Sequence, residues 1–265
     1  MSNHYQPADS TVRDAAAPQP KEKAKAKAGQ KGIMGFVRSV APALAVALAI
    51  RAFLFEPFSI PSGSMLPTLQ IGDYVVVTKF AYGVRIPFTN KMLFQAGIPK
   101  RGDVIVFERP TTQPETLIKR VVGLPGELVS IVDGVVTIDG KEQPRSLIER
   151  SHAFDDYDEH RSRWRAATAD LYTESLSRGD DGAHAHFVME QIRGQPLQGP
   201  WRVPEGMVLV FGDNRDNSAD SRVFGFVPLG NIRGRADVVG FSWGKDGLRT
   251  DRILRGIDSR VPGGR

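Results

Sequence analysis

Leu128-Val129-Ser130-Ile131-Val132-Asp133-Gly134-Val135-Val136-Thr137-Ile138-Asp139-Gly140 is the stretch that sets the fold class. Two short runs of mostly β-branched residues meet at Asp-Gly, a preferred pair for tight hairpin turns, and a second Asp-Gly closes the second run. Working outward, Asp73-Tyr74-Val75-Val76-Val77-Thr78-Lys79 and Asp103-Val104-Ile105-Val106-Phe107 each follow a glycine, as strands leaving a turn do. Met207 to Phe211 and Ala236 to Phe241 supply two further short apolar runs. Strands do not alternate with long helices, which argues against a doubly wound parallel sheet. The expectation is a mostly β, antiparallel domain.

Composition agrees. Among 265 residues there are 18 prolines and 27 glycines, which suits a loop-rich β protein better than a helical bundle. With 41% hydrophobic residues the chain can fill a sizeable core. It has no cysteine, which excludes a disulfide framework, a thiolate metal site and a cysteine nucleophile. The formal net charge is +5, with lysines clustered near the amino end.

The chain divides by composition into four parts. Residues 1–32 lack an apolar period and carry the run Lys21-Glu22-Lys23-Ala24-Lys25-Ala26-Lys27, so they read as a disordered basic cytoplasmic tail. No aromatics interleave with these lysines, which argues against a nucleic-acid arm. Residues 33–55 are apolar except for Arg38 and Arg51. As one helix they would reach about 34 Å, enough for a bilayer core of about 30 Å, with both arginines snorkelling to the interfaces. A cleaved signal peptide and a buried soluble helix compete with this transmembrane anchor. Lysines before the span and few positive charges directly after it place the amino end in the cytoplasm and the remainder outside. Residues 56–140 and 204–265 form the expected β domain. Residues 141–203 form a polar insert with some helix.

The insert carries His152, His160, His184 and His186. His184 and His186 alternate and would share one strand face, as metal ligands can. The competing reading is an exposed, solvated segment, because no carboxylate or third histidine has convincing ligand spacing. Neither a metal nor a cofactor is expected.

Three segments could carry chemistry. Ile60-Pro61-Ser62-Gly63-Ser64-Met65-Leu66-Pro67-Thr68-Leu69 reads as a rigid loop presenting a hydroxyl, braced by prolines. A serine nucleophile needs a base, and no histidine lies near Ser62 or Ser64. Lysine is the alternative if burial keeps it neutral. Lys119, in Leu117-Ile118-Lys119-Arg120-Val121-Val122-Gly123, shares a strand face with Leu117 and Val121, although an edge or surface lysine fits this segment too. The third segment, Gly212-Asp213-Asn214-Arg215-Asp216-Asn217-Ser218-Ala219-Asp220-Ser221-Arg222, suits a loop that hydrogen-bonds its own backbone. Its spacing fails the EF-hand pattern, so a structural role with Asp220 paired to Arg222 is expected rather than calcium.

Together these segments, with Gly102 to Phe107, resemble bacterial type I signal peptidase, the membrane-anchored serine protease that removes signal peptides from exported proteins. The resemblance covers about Phe53 to Trp243. It implies an antiparallel β-sheet catalytic domain of the signal-peptidase and LexA-like type, an inserted α/β subdomain at 141–203, and one amino-terminal transmembrane helix. It implies Ser64 as nucleophile, Lys119 as general base, and an oxyanion hole of the Ser62 hydroxyl and the Ser64 backbone N–H. Ser218 matches the residue that orients the lysine amine, while Gly212, Asp220 and Arg222 are structural near the site. Phe58, Ile60, Pro61, Met65, Leu69 and Ile118 fall where the family lines its substrate groove. Leu117 stands where the family usually has an aromatic residue, which leaves the groove's shape open. The implied substrate is an extended signal peptide cut after Ala-X-Ala, and the implied setting is the bacterial inner membrane with the catalytic domain on its outer side. The implied partners are signal peptides and membrane lipid, with no nucleic acid, and the enzyme works as a monomer. Trp201 and Trp243 would rest on headgroups or pack in the core.

Two rivals stand beside this reading. A soluble self-cleaving repressor would need a DNA-binding helix-turn-helix and an Ala-Gly site before Ser64, and neither is visible. A membrane-tethered β scaffold would have no need for both Ser64 and a desolvated Lys119.

Overall fold

The structure is a computed structural model that describes residues 1, 35–48, 51, 54–85, 92–112, 115–158, 161–179 and 182–257. The basic tail at 2–32 and His160 lie outside the described residues. Two units are distinguished, Met1–Leu48 and Ala49–Arg265. The first contributes helix α1 over 35–48. Among the described residues no helix is long and apolar enough to cross a membrane. Residues 33, 34, 49, 50, 52 and 53 of the expected span lie outside the described residues. Its carboxyl end is corrected, because Phe55 opens strand β1 and pairs with Thr78. Pro57 sits two residues on, and the residue before a proline is driven to extended backbone.

The second unit holds eighteen strands: β1 (Phe55–Ser59), β2 (Asp73–Thr78), β3 (Gly83–Arg85), β4 (Met92–Gln95), β5 (Val104–Glu108), β6 (Thr116–Gly123), β7 (Leu128–Val132), β8 (Val135–Ile138), β9 (Lys141–Glu142), β10 (Arg145–Asp158), β11 (Arg163–Ser177), β12 (Ala183–Glu190), β13 (Gln198–Arg202), β14 (Met207–Phe211), β15 (Val227–Pro228), β16 (Ile232–Gly244), β17 (Gly247–Leu248) and β18 (Arg255–Gly256). These strands are counted among the described residues, and a short helix, α2 (Ser221–Phe224), follows β14. The main sheet is antiparallel with order β1-β2-β16-β5-β6-β14-β15, and β17 and β18 pair with β16.

The opening stretch folds as its residues dictate. Val132 pairs with Val135 across a two-residue turn in which Asp133 has φ 47° and Gly134 φ 74°. Both central residues of a type I′ turn need positive φ, which Asp tolerates and Gly adopts freely. Asp139-Gly140 repeats the device between β8 and β9. Inward residues Val129, Ile131, Val136 and Ile138 pack with Val122, Leu209 and Phe211 in one apolar cluster. Strand β14 is apolar throughout and β5 is apolar up to its terminal Glu108, as runs inside the sheet should be.

The insert departs from the expected α/β subdomain. Among its described residues there is no α-helix; β10, β11 and β12 form a three-stranded antiparallel sheet. The run Ala183-His184-Ala185-His186-Phe187-Val188 alternates outward with more deeply buried positions, the period of a strand. Strand β13, near the end of the insert, pairs with β7 and so extends the hairpin sheet.

Candidate active site

Ser64 lies in a single 3-10 turn over Gly63–Met65, between β1 and β2. Its neighbours fix it from below. Met65 and Leu69 are 0% exposed and share an apolar cluster with Ile60, Val75 and Ile118. From above, Asn214 donates its backbone N–H to the Ser64 carbonyl at 3.1 Å and its side-chain amide to the Gly63 carbonyl at 3.0 Å. Loop 212–222 therefore holds the serine turn through two hydrogen bonds from one residue.

Lys119 sits on β6, which pairs with β5 on one side and with β14 on the other from Arg120 onward. Only 3% of Lys119 is exposed, so the reading of a surface lysine does not hold. Its Nζ lies 2.7 Å from Ser64 Oγ and donates to the Ile118 carbonyl at 2.9 Å. Burial lowers its pKa to about 8, against the opposing pull of Asp220, Asp213 and Glu115. Desolvation penalises the ammonium, so the neutral amine is populated near physiological pH. Ser62 Oγ stands 3.5 Å from Ser64 Oγ, on the same turn.

Loop 212–222 hydrogen-bonds itself as its composition suggested. Asp220 accepts from the Gly212 N–H at 2.9 Å and from Arg222 Nε and Nη2, both at 2.8 Å. Arg222 also donates to the Arg215 carbonyl at 2.5 Å. A Cβ at Gly212 would fall 2.2 Å from Ser218 Oγ and 2.5 Å from the Ser64 carbonyl oxygen, so only glycine fits that close approach. The expected bond from Ser218 to the lysine is absent: among the described residues Ser218 Oγ is buried without a hydrogen-bond partner, and the Ile118 carbonyl takes the lysine's second donor.

The expected groove residues divide. Pro61 is exposed and Phe58 partly buried. Ile60 and Ile118 are buried at 1% and 5%, while Met65 and Leu69 lie wholly inside. Met65 and Leu69 thus do not present side-chain surface to a groove in this structure; they support the turn from within the core.

The sequence profile of the family described as "Signal peptidase, peptidase S26" matches residues 33–241. The chain belongs to the signal peptidase family. Signal peptidase I of Pseudomonas fluorescens is 39% identical over 225 residues, covering 80% of this chain and 73% of the relative. The Pseudomonas aeruginosa enzyme is 36% identical over the same shares of both chains. That of Buchnera aphidicola is 35% identical over 257 residues, 82% of this chain and 81% of the relative. The chain is accordingly a serine endopeptidase that cleaves signal peptides.

The peptidase holds a buried charge network that the sequence did not announce. Arg120, next to Lys119, donates to both carboxylate oxygens of Asp213 at 2.8 and 2.7 Å. Thr68 Oγ1 donates to Asp213 at 2.5 Å, tying β6 and loop 212–222 to the segment after Ser64. Arg215 donates to Glu174 of β11 at 2.5 Å, and His186 Nε2 lies 3.3 Å from the same carboxylate oxygen. His184 Nε2 is 3.0 Å from Arg120 Nη1, and the two imidazoles stack with centroids 5.7 Å apart. Both are buried, so the reading of His184 and His186 as part of a solvated segment is corrected. They do share a face, but it is turned inward. Alternation was visible in sequence; the partner strand that places Glu174 opposite His186 was not.

Burial pushes the pKa of His184 down to about 3, helped by the Arg120 guanidinium. Burial and Arg120 also lower that of His186 against the attraction of Glu174 and Asp213. Burial alone would raise the Asp213 carboxyl; Arg120 outweighs it and holds the group below its ordinary range. Arg215 does the same for Glu174. The insert is further joined to the loop through backbone, with Met189 N–H donating to the Asp213 carbonyl at 2.8 Å and Arg215 N–H to the Met189 carbonyl at 2.9 Å.

A cleft of about 470 Å³ opens over the site. Ser62, Gly63, Ser64 and Lys119 form one side, and Asp156, Tyr157, Asp158 and Arg165 of the insert form another.

Proposed function

We propose that this signal peptidase cuts with Ser64 as nucleophile and Lys119 as general base. The observation that carries this reading is the 2.7 Å separation of Lys119 Nζ and Ser64 Oγ in a buried setting that lowers the lysine pKa. With the amine neutral, the Ser64 hydroxyl donates to it, and Oγ attacks the scissile carbonyl as the proton passes to Nζ. The tetrahedral oxyanion takes hydrogen bonds from the Ser64 backbone N–H and the Ser62 hydroxyl; donors of this kind are each worth about 3–4 kcal/mol. The lysine ammonium then returns its proton to the departing amine. Water resolves the acyl-enzyme by the reverse proton path, restoring Ser64 and neutral Lys119. No cofactor enters.

The substrate binds extended. Strand β1 is a terminal strand of the main sheet, and among the described residues β14 pairs with β6 only at Arg120, Val121 and Gly123, which leaves Thr116 to Lys119 without a described partner on that side. Two unpaired edges near Ile60 and Ile118 suit β-strand addition by a signal peptide. Small side chains at the Ala-X-Ala positions fit because the side chains beneath, Ile60 and Ile118, are already packed in the core. Phe58 and Pro61 border this path. Asp220 and Arg222, with Gly212, keep loop 212–222 against the serine turn, and Ser218, which packs beside Gly212, is the lysine-orienting residue of this reading.

The enzyme is anchored in the bacterial inner membrane by the apolar segment that begins at residue 33 and ends before Phe55, amino end in the cytoplasm and catalytic domain outside. Support comes from the apolar composition and from the family match, which begins at residue 33. It acts as a monomer on preproteins held at the lipid surface, and nucleic acid has no part.

The test is processing of a preprotein by the purified full chain in detergent. Ser64→Ala and Lys119→Ala should each lower the rate by at least roughly 10²-fold, with the thermal transition unchanged. Near-normal processing by either folded variant overturns the mechanism.

A further inference from the structure

One cross-strand pair of the insert lies at the wall of the active-site cleft. Asp156 of β10 stands opposite Arg165 of β11. Asp156 is buried, and its Oδ2 accepts from Arg165 Nη2 at 2.6 Å and from Nε at 3.1 Å. Its Oδ1 accepts from the Tyr157 N–H at 3.0 Å and lies 2.9 Å from where a Cβ on Gly63 would be. The carboxylate thus sits directly against the serine turn, and the guanidinium it grips is fixed at the rim of the same cleft. The Arg165 side chain remains 54% exposed. This is a charged group lining the same cleft as Ser64 and Lys119, and the chemistry above does not use it.

Chain direction indicates what it meets. Substrate residues before the scissile bond are taken up by the edges near Ile60 and Ile118. The chain after the bond then continues past Ser64 into the part of the cleft walled by the insert. We propose that Arg165 is a specificity-determining residue for the position immediately after the cut, favouring a carboxylate side chain there and disfavouring an ammonium or guanidinium. Asp156 is its positioning residue. The inference rests on the Ser64–Lys119 reading for the direction of the bound chain.

The charges around the cleft support that sign. The Asp156 carboxylate is turned to Arg165. Asp158 accepts from the Arg161 N–H at 3.1 Å and pairs with the Arg161 guanidinium at 3.4 Å. Lys119 is neutral in its working form. Arg165 keeps its charge at every working pH, and with Nε and Nη2 on Asp156 its Nη1 is the donor offered to a substrate carboxylate.

The experiment compares three otherwise identical preproteins carrying Asp, Ala or Lys directly after the cleavage site, cut by the full chain in an uncharged detergent. The readout is the ratio of kcat/KM for the Asp and Lys substrates. The unmodified enzyme should favour Asp by roughly tenfold, the scale of one partly screened charge pair. Arg165→Gln should bring the ratio to near one, and Arg165→Glu should reverse it. A ratio near one in the unmodified enzyme, or an unchanged preference in Arg165→Glu, overturns the proposal. Ser64→Ala run in parallel separates the two readings: residual cutting there condemns the Ser64 mechanism, while the Arg165 ratios still judge the rim.

Discussion

Arg120 closes on Asp213 with two hydrogen bonds of 2.8 and 2.7 Å, and each side chain is only 1% exposed. The pair joins the residue after Lys119 to the loop that grips the Ser64 turn, so the position of the base and that of the nucleophile share one buried support. Asp213→Ala would leave the Arg120 charge buried without its carboxylate. The expected cost is about 3–5 kcal/mol of unfolding free energy. Denaturant unfolding of the full chain in detergent measures it, and a loss below about 1 kcal/mol would contradict this role, since that is the scale of an exposed pair.

Activity should depend on pH through Lys119. Burial lowers its pKa to about 8, and only the neutral amine accepts the Ser64 proton. Below that value the neutral fraction drops about tenfold per pH unit, so kcat/KM should climb from pH 6 and level off above about 8 to 9. A pH–rate profile on a preprotein checks this. A rate that is flat across the range would speak against a lysine base.

Stability should fall in acid ahead of ordinary carboxylate titration. His184 and His186 are held neutral in the fold, His184 down to about 3, by burial and by Arg120. In the unfolded chain they take up protons near pH 6.5, so below that pH the unfolded state binds more protons. Their stabilisation is therefore complete above about pH 6.5 and is lost as pH falls toward the folded value, at up to about 1.4 kcal/mol per unit for each imidazole. Glu174 and Asp213, also lowered in the fold, add to the loss in the same direction once pH nears about 4. The thermal midpoint between pH 7.5 and 5 measures the slope. Paired His184→Gln and His186→Gln changes should flatten it; an equal slope in that variant would remove the histidines from the account.

Much of this was readable from residues alone because local rules governed it. Asp133-Gly134 and Asp139-Gly140 dictate their turns whatever surrounds them, and the apolar runs of β5 and β14 are strands inside a sheet by composition. Asp220 and Arg222 are two positions apart, within reach of each other locally. Where the outcome hung on distant segments, the residues misled. Leu69 and Met65 sit in a loop rich in turn formers, yet the core closes over them. Segment 141–203 is polar enough to suggest a solvated insert, but its inward face builds a buried network.

The linear order of residues determined a β domain with a serine turn, a lysine strand and a self-bonded loop, because turn chemistry and strand periodicity act over a few positions. Only the tertiary structure decided that Lys119 loses its water beside Ser64, that His184 and His186 face inward with Glu174 and Arg120, and that Asp156 brings Arg165 to the cleft. Desolvation and ion pairing are set by which strands lie opposite one another, and register across tens of residues is fixed only when the whole core packs.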